Sequence, residues 1–457
     1  MKKPDIRFPV LVAGAGISGM NSAALLLRQG YRVWLYDERQ VPDTQKLLRE
    51  LPEAAERLTV IGGELPKVLP AFSVCVISPG IPVDKPFAQR LRQAGIPVVS
   101  EISLAGAFAQ GRIAAITGTN GKTSTTSLLG HILEGYFQDV HVVGNIGRAY
   151  TSEAEKTGPD SVTAAELSSF QLETMDDFAP DVSAVLNITP DHLNRHLTME
   201  NYAAIKKKIC RFQTEDQVCI LNLEDPLLQD VPAMTRAKIL WFSSQRESDE
   251  GGYMKDGSLY LHLGDKREEL CSCRELLLVG RHNYENVLAA ALAAISLGVP
   301  TEVIRERVKT FRAVEHRIEY VRTVRGVSYY NDSKGTNPDA AIKAIESMPG
   351  PTCLIAGGYD KKADYTEWLR SCRGRVKLLI LFGQTAAEIE KVCRRENAAE
   401  VLRVDSLEEA VAAAADHAAA GEYVLLSPAC ASWDMFSDYE ERGRRFKELV
   451  RNLSEKE

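Results

Sequence analysis

The run Ile113-Ala-Ala-Ile-Thr-Gly118-Thr119-Asn120-Gly121-Lys122-Thr123 is a short apolar strand emptying into a Gly/Lys/Thr loop. Ser124-Thr-Thr-Ser-Leu-Leu-Gly-His-Ile-Leu follows and reads as the first turns of a helix. Strand, glycine-rich loop and helix N-terminus together make an anion site, because backbone N–H groups converge there and the helix dipole favours phosphate. Such a unit points to a nucleoside triphosphatase, with Lys122 reaching the terminal phosphates and the Thr123 hydroxyl ligating Mg²⁺. The common P-loop spacing asks for glycine where this chain has Ile116, so GTNGKT is a tighter variant. A plain strand-to-helix turn of small residues is the weaker reading, since it needs no Gly-Lys-Thr at that junction.

At 457 residues the chain exceeds what one hydrophobic core organises, and three domains are expected. Its 45% hydrophobic and 26% charged residues are the balance of a soluble globular protein. A net charge of −7 argues against nucleic acid as a partner. Nine cysteines include no CxxC pair, and only Cys271 and Cys273 stand close together. Free thiols in a reducing cytoplasm are expected, not a disulfide frame or a zinc site. Asp5 and Arg7 interrupt the basic start of the chain, and no apolar run approaches the length of a bilayer span. A cytoplasmic protein without membrane insertion is the expectation.

The first domain, 1–106, opens with a buried-type strand over 8–13, then Gly14-Ala-Gly16-Ile17-Ser18-Gly19 and a helix to about Gln29. A second strand, Tyr31–Tyr36, ends in Asp37, which completes a βαβ unit with a dinucleotide-type fingerprint. Further strands end at Pro79-Gly80 and lead into Glu101. The fingerprint predicts a pyrophosphate at a helix N-terminus, from either a nicotinamide dinucleotide or a nucleotide-linked substrate. The central domain, 107–311, continues from the phosphate loop in strand–helix alternation, with strands over 182–188 and 218–222 and an alanine-rich helix from Asn286 to Leu297. The last, 312–457, repeats βα units with strands near 352–356, 377–382 and 423–427. The expected fold is therefore α/β in three domains: Rossmann-like, P-loop with a mainly parallel sheet, and Rossmann-like again.

Several polar segments sit just after predicted strands or open predicted helices, where functional loops collect. They are Glu166-Leu-Ser168-Ser-Phe-Gln-Leu-Glu173, Asn187-Ile-Thr-Pro-Asp191-His192-Leu-Asn-Arg-His196, Gly280-Arg-His-Asn283-Tyr-Glu-Asn286, Asn331-Asp332-Ser-Lys334-Gly-Thr336 and Leu426-Ser-Pro-Ala-Cys430-Ala-Ser432. His192 and His196 have a zinc-like HxxxH spacing but lack a third ligand and the flanking Glu. Cys430 shows no basic partner that would make it a nucleophile.

This set, in this order, resembles the Mur ligases, ATP-dependent amino-acid-adding enzymes of peptidoglycan synthesis. GTNGKT, the HNxxN helix start and the DSK segment resemble motifs shared across that family. ELSSFQLE, LLSPACAS and GAGISG resemble its D-glutamate-adding branch. The resemblance implies ATP, UDP-N-acetylmuramoyl-L-alanine and D-glutamate as small-molecule partners of a monomer. It also implies chemistry through an acyl phosphate and a tetrahedral intermediate, which demands metals and lysines around crowded anions. Lys122, Glu166, His192 and Lys206 are the implied catalytic set. Two Mg²⁺ sites follow, one held by Thr123 and Glu166 and a second by His192 and Lys206. Tyr202 and Lys206 match a family spacing in which the lysine becomes a carbamate by reaction with CO₂, although residues alone do not choose among Lys206, Lys207 and Lys208.

By the same resemblance ATP contacts Gly118, Thr119, Asn120, Gly121, Lys122, Thr123, Asn283, Asn286, Arg317 and Asp332. The UDP-sugar contacts Gly14, Ile17, Ser18, Asp37, Arg39, Gly80, Asn145 and Ser168. Lys334, Thr336, Lys361, Ser432 and Tyr439 are the candidates for D-glutamate.

Overall fold

Val10–Ala13 (β1) is apolar and fully buried at every position, as a strand covered on both faces must be. The computed structural model describes residues 2–175, 177–312, 315–360 and 363–454. In it β1 is the middle strand of a five-stranded sheet with β2 (Val33–Asp37), β3 (Leu58–Gly62), β4 (Val74–Ile77) and β5 (Val98–Ser100). All pairs are parallel and the order is β3-β2-β1-β4-β5. The helix Ile17–Arg28 buries Ala23 to Leu27 against the sheet, and each of its three leucines contributes about 1.5–3 kcal/mol by leaving water. The strand order reverses between β1 and β4: β2 and β3 are added on one side of β1, β4 and β5 on the other, and such a switch point opens a crevice.

The second sheet has nine strands: β6 (Arg112–Thr117), β7 (Val140–Gly144), β8 (Val162–Glu166), β9 (Val182–Val185), β10 (Val218–Asn222), β11 (Lys238–Ser243), β12 (Gly251–Lys255), β13 (Ser258–Leu263) and β14 (Lys266–Ser272). Their order is β14-β13-β12-β11-β10-β9-β6-β8-β7. The sheet is parallel from β7 through β12, but β12, β13 and β14 form an antiparallel meander. That meander departs from the strand–helix alternation expected for this stretch. The alanine-rich helix runs over Arg281–Ser296, starting five residues earlier than expected.

A third sheet holds β15 (Glu319–Val324), β16 (Val327–Asn331), β17 (Thr352–Ala356), β18 (Val376–Leu381), β19 (Glu400–Arg403) and β20 (Tyr423–Leu426), in the order β15-β16-β20-β17-β18-β19. Five of its strands are parallel, and β15 pairs antiparallel with β16 in a hairpin. Trp368, Phe446 and Leu379 lie fully buried on its two faces.

The chain forms two compact units, 1–272 with 285–308, and 273–284 with 309–457. The segment around Gly280 thus groups with the second unit. Among the described residues no helix is long and apolar enough to cross a membrane, and all nine cysteines are free thiols, eight of them buried.

Candidate active site

In the first unit, β6 delivers Gly118–Gly121 to the N-terminus of the helix Lys122–Leu133. Gly121 is the N-cap at φ +85°, and a side chain there would collide with the Asn286 amide oxygen. Only glycine meets both demands. Asn286 is buried, and its Oδ1 also accepts from Thr125 Oγ1 at 3.1 Å, so the alanine-rich helix braces the loop from behind. Lys122 folds back over the loop and donates to the carbonyls of Gly118 (3.0 Å) and Thr119 (2.8 Å).

Asn187, just past β9, clasps the same loop. Its carbonyl accepts from Thr119 N at 2.8 Å, its Oδ1 from Asn120 N at 2.8 Å, and its Nδ2 donates to Asn120 O. Thr119 Oγ1 also meets the Tyr202 hydroxyl at 3.2 Å. Asn187 carried no individual role in the sequence reading. The available signal was its position at the end of a buried strand, which it shares with many ordinary turn residues.

Glu166 ends β8, the neighbour of β6, and is 1% exposed. Its Oε1 accepts from Asn145 Nδ2 at 2.8 Å, while Oε2 is buried without a hydrogen-bond partner. A buried carboxylate oxygen left open is expensive unless a cation meets it.

Lys206 lies within the helix Met199–Lys207, is 1% exposed, and donates to Gly118 O at 2.6 Å. Burial, reinforced by the like charge of Lys122 on the same carbonyl, lowers its pKa to about 6, and Asp191 opposes this weakly. Its neighbours have other partners: Lys207 pairs with Asp230 at 2.6 Å, and Lys208 donates to Glu173 O at 2.8 Å.

His192 takes φ +52° and caps a single helical turn, Leu193–His196, which Leu197 ends at φ +69°. Two non-glycine residues in the left-handed region cost about 1–3 kcal/mol each and persist only where surroundings enforce them. The His192 ring is about half exposed and packs on Phe170 at 4.9 Å. His196 is buried instead, with Nε2 at 3.0 Å from Ser169 Oγ. Ser168 is the N-cap of the helix Ser169–Leu172 in a capping box with Gln171.

At the switch point of the first sheet, Gly14, Ile17, Ser18, Asp37, Arg39 and Gly80 line one cavity of about 430 Å³ together with Ser78, Pro82 and Lys85. Gly19 has no room for a side chain, which would overlap the Gly14 carbonyl. Asp37 Oδ2 accepts from Ala15 N and Oδ1 from Arg39 N, each at 3.0 Å, so one carboxylate ties the fingerprint loop to the loop after β2. Asn145 and Ser168 do not line this cavity.

In the second unit the candidate residues gather at the C-terminal ends of β16 and β20. Asp332 is buried, accepting from Ser427 Oγ at 2.7 Å and from Ile318 N, and burial pushes its pKa up to about 7. Its carboxylate ties the end of β16 to the end of β20. Asn283 is buried and donates to Val279 O, and Arg317 keeps a buried Nε without a hydrogen-bond partner. Lys334 lies over the Tyr439 ring at 5.1 Å, and Thr336 follows one residue beyond Gly335. Ser432 is buried, as are Cys430 and Ala431 just before it in the chain. Lys361 lies outside the described residues. Arg442, absent from the sequence reading, is fully buried. It donates to Ser333 O and Oγ, Cys430 O and Ala431 O, lacing together the loops that carry Lys334 and Ser432.

Sequence profiles of the MurD-like N-terminal domain, the Mur ligase middle domain and the Mur ligase glutamate ligase domain match residues 9–100, 116–294 and 316–430. The UDP-N-acetylmuramoylalanine–D-glutamate ligase of Lachnoclostridium phytofermentans is 50% identical over 446 residues, covering 98% of both chains. That of Lachnospira eligens is 49% identical, covering 97% of this chain and 98% of its own. Among solved structures, MurF from Acinetobacter baumannii aligns with a TM-score of 0.61 at 14% identity, covering 97% of this chain and 93% of that one. The Thermotoga maritima MurF ligase in complex with ADP aligns with a TM-score of 0.59 at 18% identity, covering 99% and 96%. These two likenesses establish the fold. With half its residues identical to ligases of one kind along their whole length, the chain belongs to the Mur ligase family, in its UDP-N-acetylmuramoylalanine–D-glutamate ligase branch.

Proposed function

We propose that the chain is the ATP-dependent ligase that joins D-glutamate to UDP-N-acetylmuramoyl-L-alanine, forming an amide and releasing ADP and phosphate. The observation that carries this is its full-length identity of about one half to ligases that bear that name. Residues 1–106 hold the UDP-sugar, 107–311 the ATP and 312–457 the amino acid.

In this reading the cavity at the first sheet's switch point takes the uridine diphosphate. Ile17 and Ser18 face the diphosphate at the helix N-terminus, Asp37 and Arg39 lie toward the uridine, and Gly80 lies beneath the base. Asn145 and Ser168 reach the sugar portion. The GTNGKT loop cradles the triphosphate, and Lys122 exchanges its two carbonyl partners for phosphate oxygens. Asn283, Asn286, Arg317 and Asp332 complete the nucleotide site. The open Glu166 oxygen and the Thr123 hydroxyl fit a hard divalent cation. Mg²⁺ held there by Glu166 and Thr123 would neutralise phosphate charge during transfer of the γ-phosphoryl group from ATP to the substrate carboxylate, with ADP as the leaving group. The resulting acyl phosphate is open to attack by the D-glutamate amine, which Lys334, Thr336, Lys361, Ser432 and Tyr439 hold by its two carboxylates.

His192 and Lys206 belong to a second Mg²⁺ site. As an ammonium Lys206 cannot serve a cation. Held neutral by burial, its amine can add CO₂, lose one proton to water and become an anionic carbamate. The chain is proposed to act as a monomer in the cytoplasm, the compartment that keeps free thiols reduced.

Phosphate release from ATP in the presence of Mg²⁺ and UDP-N-acetylmuramoyl-L-alanine tests the reading. Release confined to D-glutamate, and lowered about 10²–10³-fold or more in Lys122→Met, is expected. Release with another amino acid alone would overturn the acceptor, and none with any acceptor would overturn the ligase.

A further inference from the structure

The turn from His192 to Leu197 is bracketed by two left-handed non-glycine residues, and Leu197 is 76% exposed, so the Leu197 side chain does not anchor it. Its far end is held by buried His196, whose ring packs on Phe170 and Tyr202 and whose carbonyl accepts from Asn201, and the link from the turn to the nucleotide cavity runs through Arg195. That guanidinium is mostly buried; its Nε and Nη2 donate to the Glu173 carboxylate at 3.1 and 2.6 Å. Nη2 also donates to the Ile81 carbonyl at 2.9 Å, in the Ser78–Pro82 loop that walls the nucleotide cavity. The guanidinium rests on the Phe170 ring at 4.8 Å, and the same ring carries His192. Glu173 Oε1 lies 3.3 Å from His196 Nδ1, closing the network beneath the turn.

We propose that Arg195 is a positioning residue that sets the His192 turn in register with the nucleotide-sugar cavity. It touches no substrate. Through Ile81 it senses the wall of the cavity, and through Phe170 and its own turn it fixes where the His192 imidazole stands. A planar fork is required, because three acceptor directions on two elements must be met by one rigid group, which an ammonium cannot do. A misplacement of about 1 Å at such a point costs catalysis about 10²-fold while leaving remote binding intact. This inference rests on the ligase reading.

The test compares the native chain with Arg195→Lys and Arg195→Ala, using UDP as the probe of the cavity. In both variants kcat for phosphate release should fall at least about tenfold, with the ATP KM and the UDP Kd held within about threefold. Amide hydrogen exchange over residues 193–198 should rise with no ligand present, while that over 118–123 stays native. Added ethylguanidinium should recover part of kcat in Arg195→Ala where ethylammonium does not. Native kcat in Arg195→Lys, or lost kcat with unchanged exchange over 193–198, overturns the proposal. If Arg195→Ala does not fold, Arg195→Lys carries the same test. Failure of the native chain to release phosphate would count against the ligase reading instead, and the exchange measurement still decides whether Arg195 holds the turn.

Discussion

Lowering the Lys206 pKa from 10.5 to about 6 has a consequence that can be read directly. The shift disfavours the buried ammonium by about 6 kcal/mol. At pH 7 about nine-tenths of Lys206 is neutral, against about 3 in 10⁴ for an exposed lysine, a roughly 3000-fold enrichment of the form that reacts with CO₂. Carbamate formation from the neutral amine releases one proton, and from the ammonium it releases two. At fixed dissolved CO₂ the ratio of carbamate to free lysine should therefore rise about tenfold per pH unit above pH 6 and about a hundredfold per unit below it. NMR of protein equilibrated with ¹³CO₂ between pH 5 and 8.5 measures this ratio. Besides any α-amine carbamate, one further carbamate signal is expected, lost in Lys206→Arg and kept in Lys207→Arg and Lys208→Arg. A hundredfold rise per unit throughout pH 6.5–8.5 would mean that the amine is protonated there and would refute the reasoning. The same shift has a sign for stability. Unfolding takes up a proton between pH 6 and 10.5, so unmodified Lys206 costs the fold most at acid pH and less as pH rises.

Gly121→Ala must place a side chain at φ +85° against Asn286, and the left-handed backbone alone costs about 1–2 kcal/mol. Calorimetry should show ATP binding weakened by at least about tenfold with UDP binding unchanged, and an unaltered ATP affinity would contradict the cradle. Arg442→Met removes the donors that lace the Ser333 and Cys430–Ala431 carbonyls. Each such charged hydrogen bond is worth about 1.5–3 kcal/mol, so the D-glutamate KM should rise tenfold or more while the KM values of ATP and the UDP-sugar hold. Steady-state kinetics with each substrate varied in turn would expose a uniform loss, which would make Arg442 a general stabiliser of the second unit.

The parallel strands were legible because burial on both faces leaves an unbroken apolar run, as in β1 and β6. The meander was missed although its signals were present. Asp256-Gly257 joins β12 to β13 as a two-residue turn with φ of +49° and +78°, and Arg325-Gly326 joins β15 to β16 with +50° and +76°. Positive φ at both central residues is the geometry that twisted hairpins prefer, and Asp-Gly is its strongest short-range mark. Strand–helix alternation on either side of the meander points the other way. In the site, the glycine loop and Asp37 announce themselves by spacing. Arg195, Glu173 and Arg442 do not, since charged residues on helices read as solvent-facing until the fold shows which of them are buried.

Lys206, Lys207 and Lys208 show why the remainder needed three dimensions. They are identical in chemistry and consecutive where the helix Met199–Lys207 ends, so no periodic argument ranks them. Successive positions turn by about 100°, which sends the three side chains to different environments. Lys207 meets a carboxylate and Lys208 a carbonyl at the end of a helix, partners that a cation satisfies at little cost. Lys206 alone is sent under the phosphate loop, where its partner is a carbonyl that Lys122 already holds and where the Asp191 carboxylate offsets less than burial and Lys122 impose. Burial beside a like charge is a poor place for an ammonium and a good one for a neutral amine or for an anion made from it. A lysine whose charge is disfavoured at that spot gains from becoming something else, and that conflict, which only the fold creates, singles it out.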